Sequence, residues 1–425
     1  EDEHGAAFPG LTGKLPHIVA NWFKRSATLI ADLASPLRLF ADNQATIDRI
    51  AEAADFDLLL YDIFLDISRY GNAVLKVRFD PGRGGIVERI DPRYWFPVVS
   101  PDDSRDVQAH CICYDFSQYE DHIERRYLRI EEHRPGSIRN RLFRLDTGGK
   151  IVSEMPPAAL ERYSGMAAEE ATGVSDFLIV PLAGLLRSDG VFGLDDFRGI
   201  EELVREIELR LSHVSSTLEK FSDPNMAGPE GMAEVNPETG ELDVNAPIAM
   251  GGGRYFPVRE GEPIPAYLTW DASLASNFSQ IEEIKSELMA VAEISPALLG
   301  DTKNGLAESG SALKRLAIPT LAKVARLRMR ARRPILQALR LVAELEVASR
   351  WPGAELLENL SIEWRSGLPA DPVEAAQVEG ARKTTGLTST YSALARLDPD
   401  ASDEDLQWEL GEIKREKAED ALHFL

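Results

Sequence analysis

Apolar residues between positions 16 and 70, among them Ile47, Ile50, Phe56, Leu60, Ile63 and Ile67, recur at the three- and four-residue spacing of a helix face, which predicts two or three helices. From Tyr70 to Phe79 the pattern switches to alternation around β-branched residues. Pro81-Gly82 and Gly84-Gly85 then supply turn chemistry for a hairpin into Ile86 to Ile90. Further short strands are expected up to about residue 155, so the first 190 residues read as α+β. From Gly193 the helical period returns through Ile200, Leu203, Val204, Ile207, Leu211, Val214, Leu218 and Phe221. A helix of about 30 residues would be ~45 Å long, more than a small domain needs to cover its own core. A second such segment carries Phe278, Ile281, Ile284, Leu288 and Val291 and is ended by Pro296.

Residues 222–270, between those helices, hold Asp223-Pro224, Gly228-Pro229, Asn236-Pro237 and a run from Gly251 to Gly253, with extended pieces at 241–244 and 254–258. They read as a small β-rich lobe at the tips of two long helices. A loop punctuated by Gly300, Gly305 and Gly310 follows, then a long helix from Ser311 to about Ser349, expected to kink at Pro319 and Pro334. Residues 360–365 read as a strand. The tail returns to helix through Tyr391, Leu394 and Leu397, breaks at Asp398-Pro399, and restarts near Ser402, where Ser402 and Asp405 resemble an N-cap with an acidic third residue. No repeat of fixed period is visible.

At 425 residues the chain exceeds one hydrophobic core, so two to four packed units are expected. Seventy acids against 47 Lys and Arg leave a formal charge of −23, which argues against a freestanding nucleic-acid binder but not against a protein surrounding DNA that it must not grip. The only cysteines, Cys111 and Cys113, lie in a predicted strand, are expected on opposite faces, and cannot supply the four ligands of a structural zinc, so a reducing cytoplasm is the expected compartment. The most apolar runs, such as 177–186, stop short of the ~20 residues of a membrane span.

Catalytic signatures are weak. Ser311 to Lys314 fits SxxK, but the companion motifs of serine acyl-enzymes are absent and a helix start after a Gly-rich loop explains it. Gly148-Gly149-Lys150 and Gly13-Lys14 lack the frame that cradles nucleotide phosphates, so any motor activity must come from a partner. The seven histidines include no HExxH and no pair at helical spacing. One segment runs against the acidic whole: between Ser309 and Arg350 ten Lys and Arg face two acids, Glu344 and Glu346. On a helix Arg326, Arg330 and Arg333 share one face, Arg328 and Arg332 another, and Val324, Leu327 and Ala331 lie between. Two readings stand: contact with DNA phosphate, or pairing with acidic neighbours such as the segment from Gly193 to Asp223, in the same or an adjacent subunit.

Four stretches, taken in order, resemble the portal proteins, or head-to-tail connectors, of tailed double-stranded DNA bacteriophages: YGNAVLKV from Tyr70 with IDPRYWFPV from Ile90; ESGSALK from Glu308; IEWRSGLPADP from Ile362; and the helix, acidic break and helix from Gly386 to Lys417. The resemblance implies an α+β subunit with a wing at 1–192 and again at 311–385, where a kinked helix and a strand belong. It implies stem helices at 193–222 and 271–295, a β-rich clip at 223–270, a tunnel loop at 296–310 and a helical crown at 386–425. It implies a ring, usually of twelve copies, at one capsid vertex of the virion, assembled in the host cytoplasm, through which double-stranded DNA is packaged and ejected. The implied partners are the terminase large subunit, which as a separate ATPase supplies the energy, the head–tail adaptor, and the major capsid and scaffolding proteins; no membrane, cofactor or metal is implied.

Within that plan Lys303, Asn304 and Gly305 would approach DNA most closely, and Ile207, Leu211, Val214, Leu218, Ile284 and Leu288 would pack the stem. Over-long amphipathic helices bury their stripes if identical copies pack side by side, and a heterologous contact repeated at a fixed rotation closes a ring. A lumen lined by carboxylates would let DNA slide. The alternatives are another phage structural or scaffold oligomer without a DNA channel, and an acyl-transfer enzyme using Ser311 and Lys314.

Overall fold

The computed structural model describes residues 18–120, 122–187, 190–222, 226–227, 234–235, 240, 242–243, 261, 264, 266–267, 274–300, 314–368, 372–398 and 401–423. The chain forms two compact units, one of residues 1–22 with 199–291, the other of residues 23–198 with 292–425.

The larger unit begins with α1 (Trp22–Ala34), β1 (Leu37–Phe40), α2 (Gln44–Ala53) and α3 (Phe56–Tyr70), three helices where the apolar spacing predicts two or three. Helix α3 stops at Gly71, whose φ of 76° suits the left-handed cap and whose N–H bonds the Ile67 carbonyl. The predicted hairpin follows as β2 (Asn72–Asp80) and β3 (Gly84–Ile90), with Val77 opposite Val87.

A larger antiparallel sheet comes next, β4 (Trp95–Val99), β5 (Val107–Glu120), β6 (Ile123–Arg134), β7 (Ser137–Leu145) and β8 (Ile151–Met155) in that order, with β9 (Glu169–Ala171) also on β7. Strands β5 and β6, of 14 and 12 residues, are much longer than the short strands expected. Cys111 and Cys113 stand two apart on β5 and so share a face, correcting the expectation of opposite faces; both thiols are free. Strand β10 (Ile179–Ala183) pairs with the other edge of β2, while the two-residue strands β11 (Leu185–Leu186) and β12 (Gly193–Leu194) pair with each other.

In the smaller unit α4 (Glu201–Ser222) packs along a second helix, and between them lie two strand pairs, β13 (Met226–Ala227) with β16 (Ala266–Tyr267) and β14 (Glu234–Val235) with β15 (Leu242–Asp243). That second helix is α5 (Leu274–Val291). The first long helix therefore starts eight residues later than Gly193. Residues 193–194 are held in a strand pair, Gly199 takes a φ of 90°, and its N–H bonds the Glu201 carboxylate (2.6 Å) where the helix opens. Most of 223–270, including 254–258 and the Gly251 to Gly253 run, lies outside the described residues.

The chain re-enters the larger unit with α6 (Ile318–Ala348), β17 (Ser361–Trp364) on β1, and the helices α7 (Pro372–Thr384), α8 (Thr390–Leu397) and α9 (Asp403–His423). The helix expected from Ser311 is interrupted beside Pro319: residues 314–316 are helical, Ala317 is a turn, and α6 then starts at Ile318 with Pro319 in its first turn, where its missing N–H costs nothing, and Pro334 inside it. At α9, Ser402 Oγ accepts the Asp405 N–H (3.2 Å) and the Asp405 carboxylate accepts from Ser402, the reciprocal cap read from the sequence. The main core is built where α6 lies on β2, β3 and β10 and meets α1, α2 and α3. Its buried side on α6 is Val324, Leu327, Ala331, Ile335, Ala338, Leu339, Val342 and Leu345.

Candidate DNA and subunit interface

Helix α6 carries the basic segment, and its geometry sorts those charges. Lys323 is buried; its Nζ donates to the Ala292 carbonyl (3.0 Å) and pairs with Asp196 (2.9 Å). Thr320 Oγ1 donates to the Glu293 carbonyl (3.0 Å) and accepts the Ser295 N–H (2.8 Å), tying the helix start to residues 292–295. Arg328 donates to the carbonyls of Leu33 (2.8 Å), Ala34 (3.0 Å) and Arg365 (2.8 Å), with its guanidinium 5.1 Å from the Trp364 ring centre. Burial lowers its pKa from the ordinary arginine value, and the carbonyl oxygens keep the charged form solvated.

Arg326, on the exposed side, forms an ion pair with Glu293. Arg330, Arg332 and Arg333 are exposed beside Met329, whose side is 71% exposed, and no acid pairs with them among the described residues. The segment thus divides into cations that brace the chain's own backbone and cations left for something else. The proposed face of Arg326, Arg330 and Arg333 is intact as a face, with one member already paired.

Along α4 and α5, Ile207, Val214, Ile281 and Leu288 are buried and Leu211 and Ile284 half-buried, while Arg210 donates to the Gln280 side chain (2.7 Å). Leu218 and Phe278, each 49% exposed, and Val291 keep apolar surface in contact with solvent. The stripe on these helices is therefore partly covered by the paired helix and partly open. Lys303, Asn304 and Gly305 lie outside the described residues, as does Ser311; Lys314 is exposed. Among the described residues no three His, Cys, Asp or Glu side chains gather as a metal would require. No helix of the described residues is long and apolar enough to cross a membrane.

Sequence reasoning misses two buried charge clusters. Glu131 accepts from Lys76 (2.6 Å), Arg129 (2.8 Å) and His133 Nε2 (2.7 Å). Burial works against its charge, yet the hydrogen bond from His133 and the Lys76 ammonium hold its carboxyl far below the usual carboxylate range. Glu346, fully buried, takes both guanidinium nitrogens of Arg49 (3.0 and 2.6 Å) and the Gly85 N–H (2.8 Å). The available signals were faint: the alternating charges of Arg129, Glu131 and His133 on one strand face, and an acid at the apolar end of a basic helix. The first cluster ties β2 to β6, and the second ties α6 to α2 and to β3.

Solved structures with a similar fold include chains of gene transfer agent (GTA) particles. A chain of the neck of a native GTA particle, computed with C12 symmetry, matches with a TM-score of 0.52 at 14% identity, over 88% of this chain and 89% of that one. A chain of the virion of a native gene transfer agent particle matches with a TM-score of 0.50 at 15% identity, over 88% of each. A third, from the neck of an empty GTA particle computed with C6 symmetry, matches with a TM-score of 0.51 at 14% identity, again over 88% of each. A search of curated proteins found no match. At such identities these likenesses carry the fold; the family is settled by residues 37–422, which match the family described as phage portal protein, SPP1 Gp6-like, and to that family of structural proteins the chain belongs.

Proposed function

We propose that this chain is the repeating subunit of a ring-shaped portal at one vertex of a virion capsid, a conduit through which double-stranded DNA enters during packaging and leaves at ejection. The observation that carries the reading is the family match across 37–422. The C12 symmetry applied to the neck of the similar particle supports a closed ring, with twelve copies the expected number.

In this reading the wing comprises 1–192 and 311–385, α4 and α5 form the stem, 223–270 the clip, 296–310 the tunnel loop and 386–425 the crown. Leu218, Phe278 and Val291, apolar and exposed on the stem, are surfaces that a neighbouring copy would cover. Lys303, Asn304 and Gly305 approach the DNA. The clip receives the terminase large subunit, whose ATPase drives translocation, and later the head–tail adaptor; the wing and crown meet the major capsid and scaffolding proteins. Assembly takes place in the host cytoplasm.

Native mass spectrometry with negative-stain microscopy of the purified chain tests this. Closed rings with an axial hole wide enough for a duplex are expected. A chain that stays monomeric under every assembly condition, or that forms open filaments, overturns it.

A further inference from the structure

Two oppositely charged surfaces of the larger unit lie on opposite flanks of α6. The first is a groove of about 630 Å³ along β1, α2 and the start of α3. Its floor includes Phe40 and Phe56, and its rim carries the carboxylates of Asp48, Glu52, Asp55 and Asp57, all exposed. Arg38 is the one base in its lining and lies over the Phe40 ring. Asp48 accepts from Gln44 (2.8 Å), but no Lys or Arg pairs with Glu52, Asp55 or Asp57 among the described residues. The second surface is the exposed ridge of Met329, Arg330 and Arg333.

Their relative placement follows from the helix itself. Arg328 and Glu346 are 18 residues apart, about five full turns, so they point the same way. Arg328 reaches the carbonyls of Leu33 and Ala34 and Glu346 reaches Arg49 on α2, so that flank faces the elements bearing the groove. At about 100° per residue, Arg330 and Arg333 fall roughly 140–200° round the helix from them. Gln337, on the far flank with Arg330, bonds Asp176 (3.0 Å), which precedes β10, the edge of the β10-β2-β3 sheet opposite the strand that α2 touches. One chain therefore cannot bring its own ridge to its own groove.

We propose that the ridge of one copy docks in the acidic groove of the next, so that Arg330 and Arg333 pair with Glu52 and Asp57 and Met329 packs against Phe40. The proposal rests on the ring reading and supplies a contact it lacks. A ridge on one flank and its complement on the other make a head-to-tail, heterologous contact, the kind that closes into a ring when the rotation between copies is fixed. Met329 adds an adaptable apolar side chain where an exposed aromatic ring waits. The same pairing explains how an acidic chain keeps an unneutralised basic face without gripping DNA: in the assembly that face is covered by protein carboxylates.

The test is charge reversal on each side and on both, with ring yield read by mass photometry and the fold of each variant checked by circular dichroism. Arg330→Glu with Arg333→Glu, and separately Glu52→Lys with Asp57→Lys, are each expected to lower ring yield at least about tenfold, because like charges then face each other. The quadruple variant is expected to restore it. Should a reversed pair fail to fold, the neutral pair Glu52→Gln with Asp57→Asn is read instead, with a smaller loss expected. Unchanged rings in folded variants, or no recovery in the quadruple variant, overturn the contact. Intact rings that have lost DNA transit assign the ridge to DNA and overturn it as well. Wild-type protein that forms no ring at all instead overturns the portal reading, and this contact falls with it.

Discussion

Glu346 shows what a single side chain does here and why its role is hidden in the sequence. Counted along the chain it is one of two acids in a basic segment; folded, it is fully buried and binds Arg49 and the Gly85 N–H at once. Glu346→Ala leaves that N–H without a partner and is expected to cost about 2–3 kcal/mol in urea unfolding. Gly85, one of the turn glycines the sequence did mark, has a second duty that only packing discloses: a Cβ there would come within 2.7 Å of Val342 Cγ1 and 3.1 Å of the Val342 carbonyl. Gly85→Ala is expected to destabilise by about 1–3 kcal/mol in the same assay. His110 adds a pH dependence. Burial, with the charge of His133, lowers its pKa from 6.5 to about 4, Asp176 opposing, and Trp95 Nε1–H donates to Nδ1, which only an unprotonated nitrogen accepts. Between about pH 6.5 and 4 the unfolded chain binds a proton at this site that the folded chain does not, so stability falls as pH falls, by up to about 3 kcal/mol. Glu131, whose folded pKa is lowered, adds to the loss only below about pH 4.5. His110→Gln should flatten the dependence of the urea midpoint between pH 6.5 and 4.5; an unchanged slope would show that the proton binds elsewhere.

At the scale of elements, what the sequence displayed depended on whether local chemistry or tertiary packing set the boundary. The end of α3 at Gly71, the β2–β3 hairpin and the Ser402 cap of α9 were legible because short-range geometry fixes them. The start of α4 was not. Ile200 and Leu203 continue the apolar period, but β12 pairs with β11 across residues 193–194, and helix begins only at Glu201. Helix α7 was missed altogether, its weakly amphipathic sequence following Pro372 giving little periodic signal. The interruption beside Pro319 is legible in the sequence, since the helix breaks at Ala317 and restarts with this proline in its first turn, where it is favourable; Pro334 lies inside α6. Of the candidate site, the basic face of α6 could be drawn from spacing alone, but not that Lys323 and Arg328 are committed to buried backbone carbonyls. The apolar stripe of α4 divides in the same way. Val214 is buried within its own unit and Leu218 is half exposed, so Val214→Asp should lower the melting temperature of the isolated subunit. Leu218→Asp should leave the subunit's stability within about 0.5 kcal/mol of wild type and reduce ring yield. Equal ring yield for Leu218→Asp would mean that neighbouring copies do not meet along that line.

For the whole molecule the decisive quantity is the charge. Each copy carries a formal −23, so the proposed ring would multiply an acidic field around its axis, with the basic ridge of α6 a local exception within it. A conduit must let phosphate pass in both directions, and any deep electrostatic well along its path would stall the genome. Binding by phosphate neutralisation releases counterions and weakens steeply with salt, the hallmark of proteins that hold DNA. Assembled rings of this chain should lack it. In fluorescence anisotropy with a short labelled duplex they are expected to bind more weakly than the roughly 10⁻⁴–10⁻⁶ M of ordinary non-specific binders at physiological salt, and with a shallow salt slope. Lys303 belongs to the segment expected nearest the axis, and Lys303→Ala should change this little, because one cation per copy among so many carboxylates guides rather than grips. A steep inverse dependence on salt, abolished by Lys303→Ala, would instead make the loop a clamp, and the acidic surface would then face away from the channel.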